Sequence, residues 1–205
     1  MYLVLFSTIS FNTKLYSTTY PTATVNISNN PSPGYMLLGS YNITAGFYDN
    51  YGMAPDSLIK KWTNLKTGAD FKLHKNGLFT FYDHSKEKFM VLNSSLNIVD
   101  SVKCVGNYVT DFHDIQYNNN GNILIIGIDE RIVDLSQIVI NGKTNAKVKG
   151  FVLQELNPQK QLVWQWSTFD YFSVLDAVSS IDLTQNSVSF CHINAAIYDS
   201  DGNII

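Results

Sequence analysis

The sequence predicts an all-β fold, a β-propeller of four-stranded antiparallel blades, and three observations carry that reading. Aromatic residues make up 13% of the 205 residues and stand among many Thr, Val and Ile, a composition suited to pleated, half-buried strands. Short apolar runs are separated by Gly, Asn and Asp turns, and no amphipathic helix of three or more turns interrupts them. One form, an apolar strand, a polar turn ending in Gly and a second apolar strand, recurs along the chain.

The recurrences are Asp70 to Phe81 with its turn at Gly77, Asp111 to Ile126 with its turn at Gly121, and Cys191 to Ile205 with its turn at Gly202. Each reads as the inner hairpin of one unit. Outer hairpins alternate with them: Asp49 to Gly52 leading to Leu58–Trp62, Leu92 to Ser95 leading to Asn97–Val102, and Leu156 to Lys160 leading to Leu162–Trp166. Asp70 and Asp111 are 41 residues apart, whereas Phe112 and Cys191 are 79 apart, a unit lengthened by an insertion from about Asp129 to Lys149 and by the stretch after Trp166. A period of roughly 40 residues with four strands is the signature of propeller blades. An irregular sandwich with coincidentally similar hairpins is the alternative.

The first 33 residues stand apart from this pattern. Met1 to Phe11 is an apolar run the length of a signal-peptide core without a basic residue ahead of it, and reads either as a truncated signal or as a strand. Residues 12–33 are rich in Thr, Ser, Asn and Pro and read as an exposed lead-in, which places a partial propeller domain at 34–205.

A net charge of −3 with 15% charged residues lacks the basic surface that nucleic acid or an anionic membrane would require. No apolar run is long enough to span a bilayer as a helix. Cys104 and Cys191 are too few for a disulfide framework and read as buried small hydrophobes, with a bridge between them left open. Neighbours on a strand point to opposite faces, so Cys191 and His192 make a poor chelating pair, and neither a metal nor a cofactor is expected. Gly-rich phosphate loops, nucleophile elbows and paired carboxylates at usable spacing are missing, which disfavours kinase, hydrolase and glycosidase chemistry.

In a propeller the innermost strand of each blade lines the central channel, where ligands reach its first residues. His113 follows Phe112 and His192 follows Cys191 at that place, while Lys72 holds the matching position after Asp70 and Phe71. Three such side chains converging on an axis suit an anionic ligand such as a sulfate or phosphate ester. His74 lies on the face of Lys72 but also beside the Asn76-Gly77 turn, which accounts for it more simply. His84 reads as a solvated loop residue. Trp62, Trp164 and Trp166 fall on outer strands and read as packing between blades.

Asp70-Phe-Lys-Leu-His-Lys-Asn-Gly77, Thr110-Asp-Phe-His-Asp-Ile-Gln116, Gly150-Phe-Val-Leu-Gln-Glu-Leu156, Val163-Trp-Gln-Trp166 and His192-Ile-Asn-Ala195 followed by Asp201-Gly-Asn-Ile-Ile205 together resemble the arylsulfotransferases. The likeness keeps its order from about Gly34 to Ile205. It implies a six-bladed propeller that passes a sulfuryl group from an aryl sulfate to a phenol through a sulfated histidine, without a nucleotide sulfate donor. It also implies a periplasmic or extracellular location, small-molecule aryl sulfate and phenol as partners, and His113 and His192 as active-site residues that bind sulfate oxygens and stabilise charge during transfer. Sulfuryl transfer needs a positioned nucleophile and donors around the equatorial oxygens, tasks that histidine can perform.

Three further residues are substrate-site candidates beside the histidines: Lys72, Asp114 and Arg131. Asp114 either orients the His113 ring or caps a turn. Arg131, in what reads as a charged loop over Asp129–Asp134, either touches substrate or forms a local salt bridge. The chain departs from the family in ending at Ile205, ahead of the family's active-site arginine and of the later blade that supplies its nucleophilic histidine. About three and a half blades are expected, inactive alone, with open strand edges that favour association with further copies. A non-catalytic propeller serving as a ligand-binding or interaction scaffold is the alternative function.

Overall fold

The computed structural model describes residues 36–42, 47–53, 60–64 and 68–205, so the lead-in expected at residues 1–33 lies outside the described residues. The described chain is all-β in its architecture, three consecutive antiparallel sheets with simple up-and-down connections. β1 (Met36–Asn42), β2 (Phe47–Met53) and β3 (Lys60–Asn64) form the first. β4 (Gly68–Leu73), β5 (Phe79–Asp83), β6 (Lys88–Leu92) and β7 (Ile98–Val102) form the second, in that order. β8 (Val109–Tyr117), β9 (Ile123–Val133), β10 (Ala146–Leu156) and β11 (Leu162–Ser167) form the third, with β12 (Ser187–Ser189) added parallel to β10. β4 starts at Gly68 and β8 at Val109, the roughly 40-residue step of propeller blades.

One loop design builds four of the described hairpins. Asn93, Asn118, Asn157 and Asp199 each accept, at Oδ1, the N–H groups two and four residues ahead, at 2.8 to 3.1 Å. Three residues after each comes a left-handed backbone: Leu96 (φ 60), Gly121 (φ 80), Lys160 (φ 63) and Gly202 (φ 85). The side-chain oxygen stands in for a backbone acceptor, and the positive φ turns the chain back. Glycine supplies that φ at two of the four loops, which is why only those showed themselves as Gly turns in the sequence.

Both faces of the second sheet are buried, as expected of a blade between neighbours. Along β6, Phe89 and Val91 face the third sheet in a core with Ala69, Tyr82, Ile115 and Ile125. Met90 and Leu92 face the other way, with Phe71 and Phe81, and Leu37 of β1 packs on that side. The two-residue period of a strand assigns alternate side chains to the two interfaces. Tyr82 and Gln154 tie the second and third sheets where polar groups would otherwise be stranded. Tyr82 Oη donates to Thr110 O at 2.7 Å, and Gln154 bonds both the N–H and the C=O of Val105, at 2.9 and 3.0 Å.

The stretch Asp129–Asp134 is not the loop the sequence suggested. β9 runs on to Val133 and pairs with β10 throughout, Asp129 opposite Gly150 and Arg131 opposite Val148. The chain between β11 and β12 folds against the extended β9–β10 pair and buries Ala146 and Val148 of β10, while Glu130, Arg131 and Ile132 of β9 stay exposed. There Leu135, Ala146, Val148, Val174, Val188 and Phe190 make a separate small core. A one-turn helix α1 (Thr168–Tyr171), capped by Ser167, begins that segment. No described helix is long and apolar enough to cross a membrane.

The third recurrent hairpin starts later than the sequence suggested. Ile197 and Ile205 exchange two backbone hydrogen bonds at 3.0 and 2.9 Å and Tyr198 bridges to Ile204, but residues 191–196 form no strand. Both cysteines are free thiols, Cys104 buried between the second and third sheets and Cys191 beside the small core.

Candidate functional site

The site grows out of two irregularities in strands that are otherwise regular. In β4 the pairing with β5 slips between Ala69 and Lys72, and Asp70 adopts φ 50, a left-handed conformation that Asp tolerates better than most residues. In β8 the pairing with β9 slips between Thr110 and Ile115, which frees Asp111, Phe112, His113 and Asp114 from the ladder. Bulges of this kind re-aim side chains out of the alternating pattern. Each slip falls on an Asp-Phe pair, immediately before Lys72 in one sheet and His113 in the other.

His113 is held by Asp111, not by Asp114. The buried Asp111 carboxylate accepts both the His113 backbone N–H at 2.8 Å and ring Nδ1 at 2.6 Å. A carboxylate only accepts, so the proton sits on Nδ1 and Nε2 is left to face the site. The His113 ring stacks on Phe112, centroids 4.0 Å apart, and the His192 ring meets it at right angles, centroids 4.8 Å apart. Phe151 of β10 backs His192 at 5.3 Å. The two histidines singled out from the sequence are therefore brought together.

Lys72 reaches the same region but arrives already partnered. Its Nζ lies 2.8 Å from Asp70 Oδ2 and is hydrogen-bonded to Asp114 Oδ1. Burial pushes the Asp70 carboxyl up to about 6, against the opposing pull of Lys72. Asp114 caps no turn of its own. Its Oδ1 also accepts Gln116 Nε2 at 2.9 Å, and its Oδ2 accepts the Ala196 N–H at 3.0 Å. Three carboxylates, Asp70, Asp111 and Asp114, thus surround one fixed cation and two histidines.

Arg131 sits on the part of β9 that extends past β8, where Nε and Nη2 bond Asp129 Oδ2 at 3.0 and 2.8 Å and the guanidinium lies 4.2 Å over the Phe169 ring. His74 is at the β4–β5 turn, yet buried, with Nε2 2.8 Å from Thr80 Oγ1 and its ring against Tyr117. Burial, with Lys72 adding to it, lowers its pKa to about 4. His84 is not the solvated residue expected, since its ring packs against Tyr82 and Phe112 at 5.0 and 5.2 Å. Among the described residues no group of three or more His, Cys, Asp or Glu is arranged to hold a metal ion.

Beside the Lys72–Asp114–Gln116 cluster opens a cleft of about 820 Å³, whose lining includes His74, Tyr117, Asn119 and Tyr198. Asp70, Asp111 and Gln116 are site residues that the sequence reading passed over as functional. The Asp-Phe pair repeated ahead of Lys72 and His113 was the available signal for the first two.

No family model matches the sequence, and no curated protein matches it. Among solved structures, the chain is similar to the acylaminoacyl peptidase of Pyrococcus horikoshii in its orthorhombic crystal form, at 12% identity and a TM-score of 0.42, covering 64% of this chain and 22% of that one. The uncomplexed form of the same peptidase gives the same values. It is also similar to a protein of unknown function from Bacteroides caccae, at 10% identity and a TM-score of 0.36, covering 84% of this chain and 64% of that one. The chain thus spans about a fifth of the peptidase's length.

Proposed function

We propose that this chain carries part of a sulfuryl-transfer site of the arylsulfotransferase kind, in which a sulfuryl group passes from an aryl sulfate to a phenolic acceptor. The observation that carries the reading is the Asp111–His113–His192 arrangement: one ring fixed by a carboxylate at Nδ1, a second ring against it. The resemblance of five ordered segments to that family supports it.

The chemistry follows from the protonation states that Asp111 permits. A nucleophilic imidazole nitrogen, which in this reading neither His113 nor His192 supplies, bonds to sulfur as the S–O bond to the leaving aryl group breaks, and the aryl oxygen takes that electron pair. A protonated His113 donates from Nε2 to the developing phenolate, and Asp111 stabilises the imidazolium. In the return step the N–S bond of the sulfated imidazole breaks as the acceptor phenol's oxygen bonds to sulfur, and neutral Nε2 of His113 accepts the phenol's proton. His192 supplies a second imidazole to the sulfuryl oxygens, the electrostatic placement on which such transfers depend. The same reading puts the protein in the periplasm or outside the cell, where aryl esters are met.

The direct test incubates the full-length protein with 4-nitrophenyl sulfate and phenol and follows 4-nitrophenol release. His113→Ala and His192→Ala are each expected to lower the rate by about 100-fold or more. Release that is unchanged in both variants overturns the assignment.

A further inference from the structure

Asp114 is the point at which three distant parts of the chain meet. Lys72 comes to it from β4 of the neighbouring sheet, Gln116 from its own strand, and Ala196 from the unpaired run that follows β12. The Asp114 residue is only 4% exposed and Ala196 only 3%, so the backbone N–H of Ala196 has no water to fall back on. His192 lies four residues earlier in that same run. Its other end is fixed at Phe190, which packs in the small core and donates its N–H to Lys149 O at 3.3 Å. Between those two anchors, residues 191–196 form no strand that could hold the His192 ring in place.

Building on the sulfuryl-transfer reading, we propose that Asp114 is a positioning residue: by gripping the Ala196 N–H it holds the 191–196 run so that His192 stays edge-on to His113. Lys72 acts through it. The ammonium group compensates the buried carboxylate, with Asp70 as its second partner, and Gln116 takes the remaining lone pair of Oδ1. A charged clasp between two sheets thereby sets the spacing of two rings that belong to neither Lys72 nor Asp114. Removing the carboxylate frees the Ala196 end of the run while the Phe190 end stays anchored.

The test needs no substrate. In the protein as it stands, nuclear Overhauser cross-peaks join the ring protons of His113 and His192, and the Ala196 amide exchanges with solvent about 100-fold more slowly than an exposed amide. Asp114→Ala is expected to lose both. Asp114→Asn, which keeps an oxygen for Ala196, is expected to restore the ring contact in large part. A ring contact that persists in Asp114→Ala overturns the proposal. If that variant does not fold, the unmodified protein decides, because an Ala196 amide that exchanges like an exposed one overturns it equally. Loss of the ring contact in Asp114→Ala, together with a full-length protein that releases no 4-nitrophenol, sustains the clasp and overturns the sulfuryl reading, so the two failures are distinct.

Discussion

The imidazole rings of His113 and His192 meet edge to face, with centroids 4.8 Å apart and planes at 90°. One ring is delivered by a bulge in β8 and the other by an unpaired run beyond β12, so neither owes its direction to strand alternation. The carboxylate of Asp111 orients His113 and also balances its charge, and one substitution separates the two contributions. Asp111→Asn keeps an oxygen that can accept both His113 N–H groups but removes the negative charge. The expected result is a fold of unchanged stability to within about 1 kcal/mol and a loss of roughly 100-fold or more in 4-nitrophenol release by the full-length protein. Equal rates for the two proteins would show that Asp111 only shapes the turn.

Gln154 is fully buried and fastens the loop after β7 to β10 through both polar groups of Val105. Gln154→Leu fills the volume but strands that N–H and C=O together. A loss of about 2–4 kcal/mol is expected, read from urea or thermal unfolding. A Leu variant as stable as the parent would mean that water takes over both bonds.

The four recurrent hairpin loops offer a test of opposite signs. Ala at Gly121 must adopt φ near 80, at a cost of about 1–2 kcal/mol, and the added Cβ meets only Pro158 Cγ, at an ordinary 3.5 Å. The loss therefore comes from the backbone. Lys160 already pays that strain at φ 63 while holding a half-exposed ion pair to Asp100. A surface pair is worth about 0–1 kcal/mol, so Lys160→Gly is expected to leave the melting temperature unchanged or raise it, whereas Gly121→Ala lowers it.

The strands, their order and the pairing of inner with outer hairpins were readable in the sequence because apolar alternation and side-chain-capped turns are local signals. His113 and His192 were readable as a pair through their place in the recurrent segments and through the family resemblance, although residues 191–196 form no strand. What stayed hidden was set by contacts between sheets. That Asp111 rather than Asp114 serves His113 depends on how a four-residue bulge coils, and nothing in the spelling Asp-Phe-His-Asp decides it. That Asp129–Val133 is strand depends on Phe169, Val174 and Phe190 arriving from 35 or more residues later to pack against this part of the sheet. The burial of His74 likewise needs Tyr117 from the next sheet.

Two titrations near Lys72 pull stability in opposite directions over nearly the same pH range. His74 is lowered from 6.5 to about 4 by burial, so the folded state resists a proton that the unfolded chain accepts. Its contribution is complete above about pH 6.5 and is lost as the pH falls toward 4. Asp70 is raised from 3.8 to about 6, again chiefly by burial, so the folded state takes up its proton first. Its contribution is complete below 3.8 and is lost as the pH rises through 6. Each effect is on the order of 2 kcal/mol, and between pH 7 and 4.5 they offset each other. The carboxylates lowered in the fold, such as Asp83 and Asp100, lose their contribution only at more acid pH. The parent protein is therefore expected to melt at nearly the same temperature at pH 7 and pH 4.5. Asp70→Asn removes the opposing gain, so its melting temperature should fall on acidification. His74→Gln, which can still bond Thr80, removes the loss, so its melting temperature should rise. Both variants following the parent's flat profile would mean that neither group changes protonation between the folded and unfolded states.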